Sequence, residues 1–223
     1  SFIIVGIAFK FGAVPFHMWV PDVYHGAPTA VTLFLSSAPK LASFALAYRL
    51  LAEGLGGLHD GWQDMLVVIA LLSMAIGNVV AIAQTNLKRM LAYSSIAHAG
   101  YMLMGFVALT DDGLRAILFY VVVYYLMNLG AFAVLMMVLN QSGREDMEGF
   151  RGLAWRGGAL PAAAMAAFLF SLAGIPPFAG FIGKFYLFAA VIDQRMWTLA
   201  VVAGLNSVVA LYYYARIVRT MYL

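Results

Sequence analysis

Cysteine is absent from this 223-residue chain, and charged side chains make up only 10% of it. The lack of thiols excludes disulfides, thiolate zinc sites and cysteine-ligated iron–sulfur clusters within these residues. The sequence also lacks a Gly-rich phosphate loop ending in Lys-Ser or Lys-Thr and a strand–turn–helix dinucleotide fingerprint. We therefore expect no cofactor in this chain and no binding of ATP or NADH, and nothing in the composition suggests nucleic acid as a partner.

Hydrophobic residues dominate what remains, at 64% of the chain with a mean hydropathy of +0.91. Soluble proteins carry about 25% charged residues, so this composition is typical of a protein embedded in the lipid bilayer. The apolar runs reach the length of about 20 residues that a membrane helix needs, and none alternates as a membrane β-strand does. The sequence predicts an all-α polytopic membrane protein.

Seven spans are predicted, separated by polar or turn residues. They cover residues 2–20, 29–51, 65–83, 90–109, 114–139, 160–192 and 197–217. Residues 21–28 are predicted to form a tight turn because proline stands at both ends, and residues 53–64 are predicted to form a polar loop.

Two of these spans are expected to be discontinuous. The run 160–192 has 33 residues, and a straight helix of that length reaches about 50 Å against a hydrocarbon core of about 30 Å. The Gly/Pro segment 174–180 is the expected break, and the segment 12–15 is the corresponding break in the first span. The two broken spans run in opposite directions, as in inverted-repeat transporters.

Lysine and arginine in the loops predict the orientation. Seven lie on one side of the predicted spans and three on the other, which places the seven on the cytoplasmic side. The seven are Lys88, Arg89, Arg144, Arg151, Arg156, Arg216 and Arg219, and the three are Arg49, Arg115 and Arg195.

Ionisable residues inside the spans are the candidate functional residues. All ten carboxylates fall in loops or at span ends, whereas Lys10, Lys40 and Lys184 lie within spans and only Lys88 does not. Such a group costs about 3 kcal/mol at the bilayer centre, so it usually marks a functional site. The alternative is snorkelling to the interface, but Lys40 has eleven residues of its span on either side.

Proton transfer is the chemistry that these side chains suit. A lysine in apolar surroundings can take up and release a proton near neutral pH, whereas an arginine stays charged. His17 and His98 titrate near neutrality and exchange protons through either ring nitrogen. The alternative for each histidine is a packed side chain bonded to a nearby carbonyl. We predict a proton relay of Lys10, Lys40, Lys184, His98 and His17, and we expect the methionine and aromatic side chains to face lipid or pack the core.

Several long motifs resemble the subunit N family of antiporter-like membrane subunits of NADH:quinone oxidoreductase, respiratory complex I. They are FK at 9–10, VPFHMW at 14–19, PDVYHGAP at 21–28, PK at 39–40, NLKRMLAYSSIAH at 86–98, LAGIPP at 172–177 and GFIGKFY at 180–186. The resemblance covers nearly the whole chain. Lys184 distinguishes it from the related subunit M family, which has glutamate at this position.

The resemblance implies that the chain is a fragment of one antiporter-like domain, with residues 1–51 ending the first inverted repeat and residues 65–217 forming the second. It also implies that Lys40 and Lys184 carry protons and that Lys10 pairs with a glutamate on a helix not present here. The expected partners are other membrane subunits of complex I, with flavin, iron–sulfur clusters and quinone in partner subunits. A bacterial plasma membrane is the expected location.

Three functions follow from these observations. The first is a proton-translocating subunit of NADH:quinone oxidoreductase, an enzyme of the translocase class, with no redox centre in this chain. The second is a subunit of a multisubunit sodium/proton antiporter, which uses the same kind of helices. The third is a membrane scaffold without transport, which would leave three lysines within the spans unexplained.

Overall fold

The computed structural model describes residues 2–223, and within that range every regular element is helical. The longer helices are α1 Phe2–Phe11, α2 Trp19–Gly26, α3 Thr29–Ala47, α4 His59–Ile82, α5 Leu87–Ala108, α6 Asp111–Ser142, α7 Ala159–Ala173, α8 Ala179–Asp193 and α9 Trp197–Tyr222. Short helical turns follow α3 and occupy the α6–α7 connection. The predicted all-α class is confirmed.

Within residues 2–223, five helical segments are long and apolar enough to cross a membrane. They are Thr29–Gly54, Gly56–Ile82, Leu87–Ala108, Asp111–Ser142 and Trp197–Tyr222. A sixth span is obtained if the segments Met147–Trp155 and Ala159–Ala173, which meet at a bend of 119°, are counted as one span. The two spans predicted to be discontinuous are divided between α1 and α2 and between α7 and α8. Seven crossings therefore require that each divided pair be counted as one span.

Helix α5 forms the centre of the bundle. In its most apolar stretch 94% of the residues are buried, against 28% to 50% in the other four long segments. Helix α4 packs along α5, α3 packs against α6, and α2 packs against α5. A side chain on α5 therefore faces protein on nearly every side, and polar groups there must find partners inside the bundle.

Residues 21–28 do not form the predicted tight turn, because Trp19–Gly26 is a two-turn helix. Pro21 does not prevent this, since it lies in the first turn, where backbone amides have no partner within the helix. Pro28 then directly precedes α3 with an extended backbone, at φ −53° and ψ 141°. The prolines thus mark the boundaries of a short helix rather than of a loop.

The predicted loop 53–64 is also shorter than expected, because α4 begins at His59. Three polar side chains in its first turns find backbone partners. Trp62 donates to the Leu55 carbonyl at 3.0 Å, Gln63 donates to Val107 O at 3.1 Å, and the His59 ring lies 3.0 Å from the same oxygen. The two contacts with Val107 attach the start of α4 to the end of α5, and the Trp62 bond fixes the turn that precedes α4.

The basic loop residues gather at two opposite ends of the bundle. At the first end Arg216 donates to Gln84 O at 2.6 Å, and Gly152 N donates to Thr220 O at 3.0 Å. This joins the α4–α5 turn, the α6–α7 connection and the end of α9. At the second end the start of α6 borders the end of α3 and the end of α8 across two surface cavities. The grouping matches the seven-to-three division in the sequence.

Sidedness can be tested with single cysteines at exposed arginines. We expect Arg144→Cys and Arg219→Cys to react with a membrane-impermeant thiol reagent from the cytoplasmic side, because both lie at the end of the bundle that carries the excess of lysine and arginine. Arg49→Cys and Arg115→Cys should react only from the opposite side. Labelling of Arg219→Cys and Arg115→Cys from the same side would contradict the orientation.

Candidate functional site

Helix α1 ends inside the bundle in a Schellman motif. Gly12 has φ +69°, a left-handed conformation that favours glycine. The Ala13 amide donates to Ala8 O at 2.8 Å and the Gly12 amide to Phe9 O at 2.9 Å. This pattern leaves the carbonyl of Phe11, the last helical residue, without an amide partner.

Helix α7 ends in the same motif. Gly174 has φ +85°, its amide donates to Ser171 O at 3.0 Å, and the Ile175 amide donates to Phe170 O at 3.1 Å. The carbonyl of Ala173, the last helical residue, therefore occupies the position that Phe11 has in α1. The break predicted for residues 174–180 is confirmed, since α8 begins at Ala179.

A buried lysine binds each of these two carbonyls. The Lys40 ammonium on α3 donates to Phe11 O, and the Lys184 ammonium on α8 donates to Ala173 O at 3.0 Å. Only 6% of Lys40 and 3% of Lys184 is exposed. A helix C-terminus carries partial negative charge, so it stabilises an ammonium group that apolar surroundings destabilise. The two lysines therefore make the same contact with a helix end although they lie far apart in sequence.

Lys184 has two further contacts. Its Nζ donates to Ser207 Oγ on α9 at 3.2 Å and lies 4.5 Å from the centre of the Tyr101 ring on α5. The Tyr101 hydroxyl is 3.1 Å from Ser207 Oγ. Lysine, serine and tyrosine thus form a closed triangle of polar groups within the bundle.

His98 lies next to this triangle on α5, with 1% of its surface exposed. Its Nδ1 is 2.5 Å from the Tyr120 hydroxyl and its Nε2 is 3.2 Å from the Tyr214 hydroxyl. Its ring centre is 5.9 Å from that of Tyr101. A neutral imidazole donates at one nitrogen and accepts at the other. One tyrosine hydroxyl therefore faces the donor nitrogen and the other faces the acceptor nitrogen, and the two nitrogens can exchange these roles.

Polar groups of α6 connect His98 with the region of Lys40. The Tyr124 ring centre lies 5.1 Å from that of His98. Asn128, one turn further along α6, donates to the Ser36 carbonyl at 3.0 Å, and Ser36 lies one turn before Lys40 on α3. The structure thus places Lys40, His98 and Lys184 in one buried polar row across α3, α6, α5 and α8.

Lys10 and His17 lie outside this row. The Lys10 side chain is exposed, and only its backbone carbonyl is bound, by Ser43 Oγ at 3.2 Å. His17 is half-buried, and its Nδ1 has no hydrogen-bond partner among residues 2–223. The described residues therefore bring three of the five predicted relay residues together and leave two apart.

Lys88, the lysine expected outside the membrane spans, is also buried. It is 3% exposed, and its ammonium forms an ion pair with Glu145 at 2.6 Å. This carboxylate comes from the α6–α7 connection, which the sequence does not place near α5. Lys88 is therefore not a solvated loop residue, and it is unsuitable as a neutral control for substitutions in the row.

The tyrosine and serine members of the site were not predicted from the sequence, because aromatic residues in apolar helices usually pack in the core or face lipid. Two spacings could have revealed them. Tyr120, Tyr124 and Asn128 recur every four residues on α6, and Ser207 and Tyr214 are seven residues apart on α9. Polar groups at helical spacing within an apolar helix share one face.

Comparison with known proteins identifies the family to which the chain belongs. A family model described as "NADH:quinone oxidoreductase/Mrp antiporter, TM" matches residues 1–210. NADH-quinone oxidoreductase subunit N of Thioalkalivibrio sulfidiphilus (strain HL-EbGR7) is 52% identical over 223 residues, covering 100% of this chain and 46% of that protein. The chain spans about half the length of the curated relatives it matches.

Two solved structures share the fold. A chain of respiratory complex I from Thermus thermophilus with bound aureothin has a TM-score of 0.85 and 38% identity, covering 98% of this chain and 48% of that one. A chain of the Mrp complex from Dietzia sp. DQ12-45-1b has a TM-score of 0.87 and 27% identity, covering 99% and 41%. The chain is an integral membrane protein that belongs to the NADH:quinone oxidoreductase/Mrp antiporter transmembrane family.

Proposed function

We propose that this chain is the part of a complex I membrane subunit in which protons move between Lys40, His98 and Lys184. The observation that supports the proposal most directly is the equivalent binding of Lys40 and Lys184 to the carbonyls that end α1 and α7. Residues 1–51 would end one inverted repeat and residues 65–217 would form the other.

Each lysine is suited to change its charge. The carbonyl at the end of a half-helix favours the ammonium, and the surrounding apolar side chains favour the neutral amine. Neither state is strongly preferred when these two effects are similar in size. An arginine at the same place would remain charged and could not release a proton.

His98 is suited to connect the two lysines. A proton that arrives at one ring nitrogen can leave from the other, and each nitrogen has a tyrosine hydroxyl within hydrogen-bonding distance. The hydroxyls of Tyr101 and Ser207 lead to the Lys184 ammonium, and ordered water would join them to His98. Ordered water would complete the path to Lys40, since buried polar groups in such a row need partners.

Lys10 and His17 would serve the same path from its outer end. Lys10, whose side chain is exposed, would pair with a carboxylate that the described residues do not supply. Other membrane subunits of complex I would be the partners, and subunits carrying flavin, iron–sulfur clusters and quinone would supply the redox energy. The family's bacterial relatives favour a bacterial plasma membrane.

An Mrp-type sodium/proton antiporter subunit is the second candidate, because the Dietzia Mrp structure shares the fold at a TM-score of 0.87. The identity of 52% to subunit N, against 27% to the Mrp chain, favours complex I. A scaffold without transport is the third candidate. It offers no reason for burying two lysines against broken helices.

Substitution of Lys40 tests the proposal in the assembled complex. We expect Lys40→Ala to lower NADH-driven proton translocation in membrane vesicles by about tenfold, which corresponds to a rise of about 1.4 kcal/mol in the activation barrier. Lys40→Arg should lower it similarly, because guanidinium does not release its proton. Arg49→Ala, at a side chain that is 81% exposed, is the control and should leave translocation unchanged.

Three outcomes would be informative. Variants of Lys40 that assemble and translocate protons normally would indicate a scaffold. Sodium-coupled proton movement that does not depend on NADH or quinone would indicate an antiporter. A loss in Lys40→Ala that Arg49→Ala shares would indicate damage to folding rather than to proton transfer.

A further inference from the structure

The buried ion pair of Lys88 and Glu145 lies at the loop end of α5. The Lys88 ammonium also donates to the Ala27 carbonyl at 3.2 Å, at the junction of α2 and α3. Glu145 is 27% exposed, whereas Lys88 is 3% exposed, so the pair extends from the surface into the bundle. It thereby joins three parts of the chain that are distant in sequence.

Short backbone contacts hold the Glu145 segment in place. Leu87 N donates to Glu145 O at 3.0 Å, and Met147 N donates to Thr85 O at 3.3 Å. The carboxylate is therefore presented by a segment that is attached to the α4–α5 turn, directly beside Lys88. Only the ion pair between the Lys88 and Glu145 side chains would have to break for solvent to reach the N-terminal end of α5.

Hydroxyl groups continue inward from this pair between α2, α3, α5 and α6. We name this row the access lane, and it consists of Thr29, Thr32, Tyr24, Ser95 and Tyr124. Thr32 Oγ1 lies 3.4 Å from the same Ala27 carbonyl that Lys88 binds, and it donates to Tyr24 O at 3.0 Å. All five residues are buried.

Three hydroxyls of the access lane have no hydrogen-bond partner among the residues that the structure describes. They belong to Thr29, Ser95 and Tyr124, and they are the only buried hydroxyls of residues 2–223 in this condition. The Ser95 hydroxyl lies close to the hydroxyls of Tyr24 and Tyr124, but it forms no well-aligned hydrogen bond with either. Buried polar groups are nearly always satisfied, so this concentration in one place indicates that water completes the bonding.

The inner end of the access lane meets the polar row described above. Tyr124 contacts His98, with 5.1 Å between ring centres, and Asn128 on the next turn of α6 binds Ser36 beside Lys40. A hydrated lane from the Lys88–Glu145 pair would therefore reach both His98 and Lys40.

We propose that Lys88 and Glu145 form a gate at the loop end of the access lane, through which water and protons reach His98 and Lys40 from that side. The inference rests on the proposed proton translocation, and it adds a point of access and its closing device. With the pair formed, the Lys88 side chain lies across the lane and is bound on both sides, by Glu145 and by Ala27 O. Removal of the carboxylate leaves the ammonium bound to Ala27 O alone, which allows it to move and opens the lane to solvent.

The test measures access to Ser95 in the assembled complex. Ser95→Cys introduces a thiol into the access lane, and its reaction with the anionic, membrane-impermeant reagent 2-sulfonatoethyl methanethiosulfonate is followed by peptide mass spectrometry. We expect slow labelling from the loop side when the pair is intact. Adding Glu145→Gln should raise the rate about tenfold, as loss of about 1.4 kcal/mol of closing free energy would do.

A neighbouring ion pair supplies the matched control. Glu148 pairs with Arg151 at 3.4 Å in the same connection, and both side chains are largely exposed. Glu148→Gln should leave the labelling rate of Ser95→Cys unchanged. The double change Lys88→Glu with Glu145→Lys should restore slow labelling in part, because it rebuilds the pair of opposite charges but not the bond to Ala27 O.

Unchanged labelling in Glu145→Gln, or an equal rise in Glu148→Gln, would overturn the gate. The outcome is independent of the Lys40 experiment. Loss of translocation in Lys40→Ala together with unchanged Ser95 labelling would reject the gate and keep the proposed function. Faster labelling in Glu145→Gln with normal translocation in Lys40→Ala would show a hydrated lane that serves another purpose.

Discussion

Lys184→Ala is expected to lower NADH-driven proton translocation at least tenfold, which corresponds to a rise of about 1.4 kcal/mol in the activation barrier. The substitution removes the ammonium that binds Ala173 O and Ser207 Oγ and that lies over the Tyr101 ring. It also leaves the Ala173 carbonyl unpaired within the bundle, where water is scarce. The measurement is proton uptake by vesicles that contain the assembled complex, normalised to the amount of this subunit.

Two further variants separate the charge from the hydrogen bonds. Lys184→Arg keeps a cation but should also fail, because guanidinium does not release its proton. Ser207→Ala keeps the lysine and removes one of its partners, so it should have a smaller effect. Arg195→Ala changes an exposed cation near the end of α8 and should leave activity unchanged. Full translocation by Lys184→Arg would contradict a role in proton release.

Gly180→Ala is expected to prevent normal accumulation of the subunit in the membrane. A methyl group on Gly180 would overlap the backbone carbonyl of Ser171, and the Gly180 amide already donates to Ser171 Oγ at 3.1 Å. Neither group can turn away as a flexible side chain could, so α7 and α8 would have to separate. Overpacking of this kind costs about 1–3 kcal/mol. The amount of subunit in purified membranes and the thermal midpoint of the complex measure the effect.

Gly204→Ala on α9 is the control, because a methyl group at that position would meet no atom within 4 Å. Alanine is favoured over glycine within a helix by about 1 kcal/mol, so this variant should be neutral or slightly stabilising. Normal subunit levels in Gly180→Ala would mean that the two half-helices do not approach as closely as described.

Composition and local spacing by themselves determined the class of this protein and the position of its broken helices. The density of apolar residues identifies the membrane spans, because a bilayer demands continuous hydrophobic length. The segments around Gly12 and Gly174 predict breaks because glycine and proline act on the backbone of their own helix. Lysines within apolar runs can also be recognised from the sequence, because a charged group inside a membrane span is costly and usually marks a functional site.

The tertiary structure decided which polar groups meet. From the sequence Lys88 is predicted to be a loop residue, and only the folded α6–α7 connection brings Glu145 beside it. Tyr101 is predicted to be a core residue, and only the packing of α8 and α9 brings Lys184 and Ser207 to it. Residues 21–28 read as a turn until α2 packs against α5. These outcomes depend on which helix faces come together, and a pattern along one chain does not specify contacts between faces far apart in sequence.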